Sequence, residues 1–246
     1  MASSFIQILN ITRSSIMSRM TDLDVVSHNL ANINTPGYKS SRSAFQELLD
    51  EFGLAGVEIG TTQRIMTQGS LQDSDNPLDL AINGSGFFAV QIETDQIGYT
   101  RDGQFSLDED RRIVDSNGYE LIWNGTIPED AEDVHVNPDG TVYVARGGTW
   151  DEIGTITGYR FANSQGLLSF GKNLWLESEL SGEAQEGAFS EDGYGQVIGN
   201  AVEQSNVDMV AEMSRMITLQ RAFDMAIHSY EMTDTMISQA IQMRRG

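Results

Sequence analysis

Two apolar stripes of helical period stand at opposite ends of this chain. They constrain its fold more than anything between them. At the N-terminal end Phe5, Leu9, Ile16, Leu23, Val26, Leu30 and Ile33 recur in alternating steps of four and three, broken only at Thr12 and Arg19. At the C-terminal end Met209, Met213, Met216, Phe223, Ile227, Tyr230, Ile237 and Ile241 do the same, with Gln220 and Asp234 as the polar positions. Such steps lay a seam along one helix face, and a seam of that period is buried by packing helix on helix. Ser4 with Gln7 three residues on predicts the N-cap of a first helix over 4–33. Thr35-Pro36-Gly37 should end it, because proline disfavours helical backbone in the residue before it. Ser205-Asn206-Val207-Asp208 predicts the start of the second helix, and 202–245 holds neither proline nor glycine. Seven of the 11 methionines lie there, which suits an adaptable interface because Met is flexible and polarizable. Helices so far apart in sequence bury their seams only against each other or against neighbouring copies, a design for a subunit of an assembly.

Between the stripes the pattern changes. Asn83-Gly84, Asp102-Gly103, Asn117-Gly118, Asn124-Gly125, Asp139-Gly140 and Asp192-Gly193 are hairpin-type dipeptides. Short β-rich runs separate them: 87–92, 134–136, 141–144 and 153–161. Turns at this spacing predict an antiparallel body. The fold class expected is α+β, with long N- and C-terminal heptad helices pairing as a coiled coil and a β-rich antiparallel middle. The divisions are an N-terminal helix at 1–35, an extended connector at 36–75, an acidic body at 76–182, a connector at 183–201 and a C-terminal helix at 202–246.

Charge follows the same division. The 246 residues carry a formal net charge of −21, of which 51–199 holds −19, whereas 1–50 is neutral and 200–246 carries −2. That sign is wrong for tracking a nucleic-acid backbone or an anionic membrane surface. No stretch approaches the roughly 20 apolar residues of a membrane span, and the first ten residues do not read as a cleaved secretory signal. With no cysteine, disulfides, thiolate metal sites and a Cys nucleophile are excluded.

A search for chemistry returns little. His28, His135 and His228 are scattered, and no pair has metal-ligand spacing. Gly84-Ser85-Gly86 lacks the flanks of a nucleophile elbow or a phosphate loop. Asp73-Ser74-Asp75-Asn76 starts like a calcium loop but lacks its glycine and closing glutamate. No catalytic residue, cofactor or metal is expected.

Longer strings are more telling. Asn29-Leu30-Ala31-Asn32-Ile33-Asn34-Thr35-Pro36-Gly37-Tyr38-Lys39 resembles the signature of the bacterial flagellar basal-body rod and hook protein family. Thr67-Gln68-Gly69-Ser70-Leu71, and the run Asn76, Pro77, Leu78, Asp79, Leu80, Ala81, Ile82, Asn83, Gly84, Ser85, Gly86, Phe87, Phe88, are similar to its central motif, which Tyr99-Thr100-Arg101-Asp102-Gly103-Gln104-Phe105 continues. Ser205, Asn206, Val207, Asp208 and the run Met216 to Phe223 resemble its C-terminal block. The strings keep the family's order along nearly the whole chain, nearest to the distal-rod branch, with the proximal-rod and hook branches as alternatives. Asp108-Glu109-Asp110-Arg111-Arg112 departs from the Asn-Gly or Asp-Gly turn usual there, which puts one local hairpin in question.

The resemblance implies a subunit of a helical tube that transmits torque to the hook and forms part of an export channel. The terminal helices would pair in an inner layer and the body would lie outside. Implied partners are further copies of itself, other rod proteins, the hook protein, surrounding ring proteins and the flagellar export apparatus. The implied location is the basal body, outside the cytoplasmic membrane, reached without a cleaved signal peptide. The assembly interface expected comprises Phe5, Leu9, Ile16, Leu23, Val26, Leu30, Met209, Met213, Met216, Phe223, Ile227, Tyr230, Ile237 and Ile241. A non-polymerising secreted adhesin and an enzyme with an acidic cleft are the readings from other classes.

Overall fold

The computed structural model describes residues 2–48, 56–93 and 96–245. The chain is α+β and divides into two compact units. One comprises Met1–Asn32, Ser40–Ile65 and Val207–Gly246, the other Ile33–Lys39 and Met66–Asn206.

The first unit holds helix α1 (Ala2–Ala31), hairpin strands β1 (Ser41–Leu48) and β2 (Gly56–Arg64), and helix α2 (Met209–Arg245). Helix α1 starts before the Ser4 cap expected from sequence, so Ser4 lies inside the helix. It ends where expected: the Asn32 N–H reaches back to the His28 and Asn29 carbonyls at 3.3 and 3.2 Å, and the chain turns before Pro36. Helix α2 begins one residue after Asp208, which caps it; Oδ1 accepts from the Val210 and Ala211 N–H groups at 2.9 and 3.1 Å. The segment after α1, read from sequence as extended, forms the antiparallel β1–β2 pair, with Ser41 opposite Arg64 and Arg42 opposite Gln63.

The second unit is built from antiparallel strands. Its largest sheet runs, edge to edge, Leu168–Gly171, Leu174–Leu176, Gln96–Thr100, Phe88–Glu93, Glu120–Leu121, Ile113–Val114 and Ser106–Leu107. A four-stranded sheet runs Asn124–Gly125, Thr149–Thr155, Thr141–Arg146 and Asp133–Val136. Two short pairs bring late chain beside early chain: Gln196–Gly199 against Leu80–Asn83, and Ala201–Glu203 against Leu71–Asp73.

The run Phe87-Phe88-Ala89-Val90 shows why this unit folds on itself. Successive strand residues face opposite ways, and both faces are covered. Phe88 and Val90 join Leu80, Ile82, Phe105, Leu121, Val142 and Phe189 in one buried cluster. Phe87 and Ala89 join Tyr99, Tyr159 and Trp175 in another. Phe88 meets Phe105 edge-to-face at 5.4 Å, a geometry that adds about 0.5–1.5 kcal/mol beyond burial.

Turn expectations changed at three places. Asp102-Gly103 is irregular chain rather than a hairpin turn, and Gly103 O accepts the Leu80 N–H at 2.9 Å. Asn124-Gly125 is not a turn but a short strand against Gly154 and Thr155; its glycine is suited by the Trp123 ring lying where a side chain would go. The irregular string at 108–112 does close a hairpin, because Arg111 itself adopts the left-handed region at φ 62°. Asp108 and Arg112 seal that turn with a backbone bond of 3.0 Å and an Arg112 N–H to Asp108 Oδ1 bond of 2.7 Å.

Candidate functional site

Each unit contains a constellation of sequence-distant residues. In the β-rich unit it is a buried charge cluster. Glu203 is fully buried, and its Oε1 accepts from Lys39 Nζ at 2.5 Å and from the Gly69 N–H at 2.8 Å. Its Oε2 accepts from Arg101 Nη1 at 3.2 Å. One carboxylate thus faces two cations, and backbone carbonyls accept from both cations as well. Lys39 Nζ donates to Thr67 O at 2.9 Å, while Arg101 donates to Ile82 O at 3.3 Å and Gly84 O at 2.7 Å. Arg101 also stacks over Phe87 at 5.2 Å. Burial pulls the Lys39 ammonium and the Arg101 guanidinium below their ordinary pKa values, and Glu203 opposes both shifts.

The glycines of the motif strings make this approach feasible. Gly37 sits at φ +68°, and a Cβ there would lie 2.4 Å from the Asp102 backbone nitrogen. A Cβ at Gly69 would lie 1.9 Å from Gln204 O. Around the cluster, Gly37 N–H donates to Glu203 O at 2.7 Å, and Asn206 Nδ2 donates to Thr67 O at 3.0 Å. Asp79 accepts from Ser74 Oγ at 2.5 Å and Asn76 Nδ2 at 2.8 Å, so the calcium-like string is an internally bonded turn. Beside it Asp102 is buried, and burial raises its pKa to about 6, with Asp115 and Asp79 adding to the shift and the Gln104 N–H opposing it.

Other motif residues have packing roles. Leu80, Ala81, Phe87, Phe88 and Tyr38 are buried; Leu78 packs at the edge of the core; Gly84 and Gly86 take positive φ. Thr35, Asn206 and Val207 are half-buried, Ser205 is buried, and Asn34 is exposed.

In the helical unit, Asn29 is buried and pairs with the Ser41 backbone as a strand would: Nδ2 to O and N to Oδ1, both at 2.9 Å. Its Nδ2 also reaches Glu212 Oε1 at 3.4 Å. One heptad earlier, Asp22 takes the Ser43 hydroxyl and Arg215 Nη2, the latter at 3.4 Å. The buried line of α1 is therefore Ser18, Asp22, Val25, Val26 and Asn29, and that of α2 centres on Leu219.

Of the stripe residues expected from sequence, Val26 is buried. Ile16, Leu23, Leu30, Met216, Phe223 and Ile227 are half-buried, and Met209, Met213 and Tyr230 are exposed. The side chains of Phe5, Leu9, Ile237 and Ile241 lie outside the described set. The packed face on each helix is set about one residue back from the expected stripe. Val210, Ile217, Met225, Met232 and Met236 are also exposed.

Lys39 and Arg101 stood in the strings that the sequence reading quoted, but it did not make them site residues, and it missed Glu203. A signal existed: lysine and arginine are scarce between 39 and 203, yet two of them sit inside motif strings beside glycines. Among the described residues, no group of three or more His, Asp or Glu is placed to hold a metal, and no helix is long and apolar enough to cross a membrane.

The three cluster residues come from three separate family segments. The description "Flagella basal body rod protein" matches residues 9–39, which end on Lys39. "Flagellar hook protein FlgE/F/G D1 domain" matches 81–144, which contain Arg101. "Flagellar basal body rod FlgEFG protein C-terminal" matches 198–243, which contain Glu203. Two relatives named flagellar basal-body rod protein FlgG align over almost the whole chain. That of Buchnera aphidicola subsp. Acyrthosiphon pisum is 34% identical over 254 residues, covering 95% of this chain and 98% of its own. That of Caulobacter vibrioides is 34% identical over 260 residues, covering 97% and 99%. This chain belongs to the flagellar basal-body rod protein family. A relative named FlgF, from Mesorhizobium japonicum, is 27% identical over 242 residues.

The family membership gives the two constellations a context. The charge cluster ties residues far apart in sequence to one another inside the β-rich unit, and the helices offer surface.

Proposed function

We propose that this chain is a structural subunit of the flagellar rod, of the distal-rod type, and not an enzyme. Copies polymerise into a helical tube through the terminal helices, which pair as coiled coils in its inner layer. The tube transmits torque and continues the export channel. The chain leaves the cytoplasm by the flagellar export route and meets other rod proteins, the hook protein and surrounding ring proteins. Higher identity to the FlgG relatives than to the FlgF relative supports the distal assignment.

The observation that carries the reading is the apolar exposure along α2. Met209, Met213, Ile217, Met225, Met232 and Met236 are all exposed on this one helix, and large apolar side chains left uncovered in such number point to association.

The test is Ile227→Asp, with Leu23→Asp beside it. Both residues are half-buried on their helices, so further contact in a polymer would desolvate the new carboxylate at a cost of several kcal/mol per subunit. Swimming in soft agar and rods in electron micrographs should both be lost. Fluorescence of Trp123, Trp150 and Trp175, all in the β-rich unit, should stay native. Normal swimming by the Ile227→Asp strain would overturn the reading.

A further inference from the structure

The β-rich unit leaves several large apolar side chains outside its core, and Leu180 is the most exposed of them. Leu180 is 77% exposed, more than any other large hydrophobic side chain among the described residues. It is nonetheless held in place. The Leu180 N–H donates to Ser178 Oγ at 3.1 Å, and the Leu180 carbonyl accepts from Asn163 Nδ2 at 3.2 Å. Ser178 Oγ also takes the Ser181 N–H at 3.1 Å and donates to Gly166 O at 2.6 Å. The buried Ser181 closes the turn, its hydroxyl accepting from Ser178 N at 2.8 Å. With its backbone groups satisfied and its turn anchored to the 163–166 segment, Leu180 is presented at little further entropic cost to a binding partner.

Its surroundings select the partner. Leu168, Glu177, Glu179 and Glu183 line a shallow depression of about 760 Å³ beside it. Leu168 lies on Leu168–Gly171, an edge strand of the large sheet, where Phe170 is also exposed. This edge is four residues long, bulged between Ser169 and Gly171 and followed by Lys172, so a partner would be held by its apolar side chains rather than by strand addition. The three glutamates project from a segment whose charge is −19 over 51–199. A second acidic copy facing this patch would be repelled, and so would nucleic acid or an anionic membrane.

We infer that the Leu180 turn and the Leu168 edge form a docking site for a different protein, one presenting an apolar socket rimmed by lysine or arginine. The docking site lies in the β-rich unit, whereas the rod reading is carried by the helical unit, so each can fail without the other.

The test places photo-reactive p-benzoylphenylalanine at position 180 of the full chain in producing cells. After illumination the cross-linked segment is sequenced by mass spectrometry. The expected adduct is to a segment of another protein with net positive charge, at least tenfold above the yield from the same probe at position 110. Glu179→Lys with Glu183→Lys should cut that yield at least tenfold, whereas Glu129→Lys with Glu132→Lys should leave it within twofold. Tryptophan fluorescence checks that the charge-reversed chains remain folded. Adducts to copies of this chain, to neutral or acidic segments, or at the level of the position-110 probe overturn the inference. So does a yield unmoved by charge reversal at 179 and 183.

Discussion

Phe88, Phe105 and Phe189 lie together in the β-rich unit at no more than 1% exposure, whereas Met225, Met232 and Met236 on the second helix are each at least 60% exposed. The same chain thus treats its large apolar residues in two ways. The β-rich unit covers both faces of its central strand and surrounds its buried charges with partners. The helical unit sets polar residues, Asp22 and Asn29 against Arg215 and Glu212, along its packed line and leaves methionines outside. Buried polar groups in a helical seam fix register at a cost in stability. One unit completes a core within the subunit and leaves apolar side chains outside only locally, as at Leu180, while the other fixes how its helices align and leaves methionines uncovered along the helix.

The largest effect should come from the charge cluster. Glu203→Gln keeps the side-chain shape but leaves two buried cations without their counter-charge, which costs about 3–5 kcal/mol. In urea unfolding, tryptophan fluorescence should show that loss. Lys39→Met introduced into Glu203→Gln should be much less harmful than in the natural chain, because one uncompensated cation is removed; coupling of this kind is expected for residues in one network. Strictly additive effects would show that the cluster is not a single electrostatic unit. The helical signal should survive or fall with the β-rich signal, and either result measures how independent the units are.

A second, smaller effect separates the units by pH. Asp102 has a folded-state pKa of about 6, raised from 3.8 first by burial and then by Asp115 and Asp79. Its protonated form is favoured on folding, so this group destabilises the unit above pH 6. That penalty is relieved as pH falls through 6 and is gone below the unfolded value. At about 1.4 kcal/mol per pKa unit, the relief is about 2–3 kcal/mol. Asp102→Asn should therefore stabilise the β-rich unit near neutral pH and flatten its stability between pH 7 and 4, read by the same fluorescence midpoint. An unchanged pH profile in Asp102→Asn would remove this carboxyl from the account.

The sequence made the element types visible because period alone distinguishes a four-three stripe from a glycine-punctuated β body. It also located the end of the first helix, because Thr35-Pro36-Gly37 restricts backbone locally. What it could not show is long-range pairing. Glu203 lies 164 residues from Lys39, and no local pattern says that one carboxylate will meet two cations. The helix phase was hidden for a related reason. Apolarity marks Ile16, Leu23 and Ile227, but Asn29 and Asp22 claim the buried line through hydrogen bonds to Ser41 and Ser43. Arg111 shows the opposite case: a hairpin that sequence placed in question closes because a non-glycine residue accepts a left-handed backbone.

The smallest effect tests the helical unit alone. Asp208 is exposed and receives the Val210 and Ala211 N–H groups at the start of α2. Removing such a cap costs typically ~1 kcal/mol, and the negative charge at a helix N-terminus contributes a few tenths more at low salt. Asp208→Ala should lower the midpoint of the helical circular dichroism signal at 222 nm, while the tryptophan midpoint stays within about 0.5 kcal/mol of the natural value. Asp208→Ser should restore most of the loss, because its hydroxyl can accept the same bonds without the charge. Added salt should narrow the gap between the Ser and Asp forms and leave the gap between Ser and Ala in place. If Asp208→Ala moves both midpoints equally, the two units unfold as one, and the contrast between a body with its own core and a helix with uncovered methionines holds for surface but not for stability.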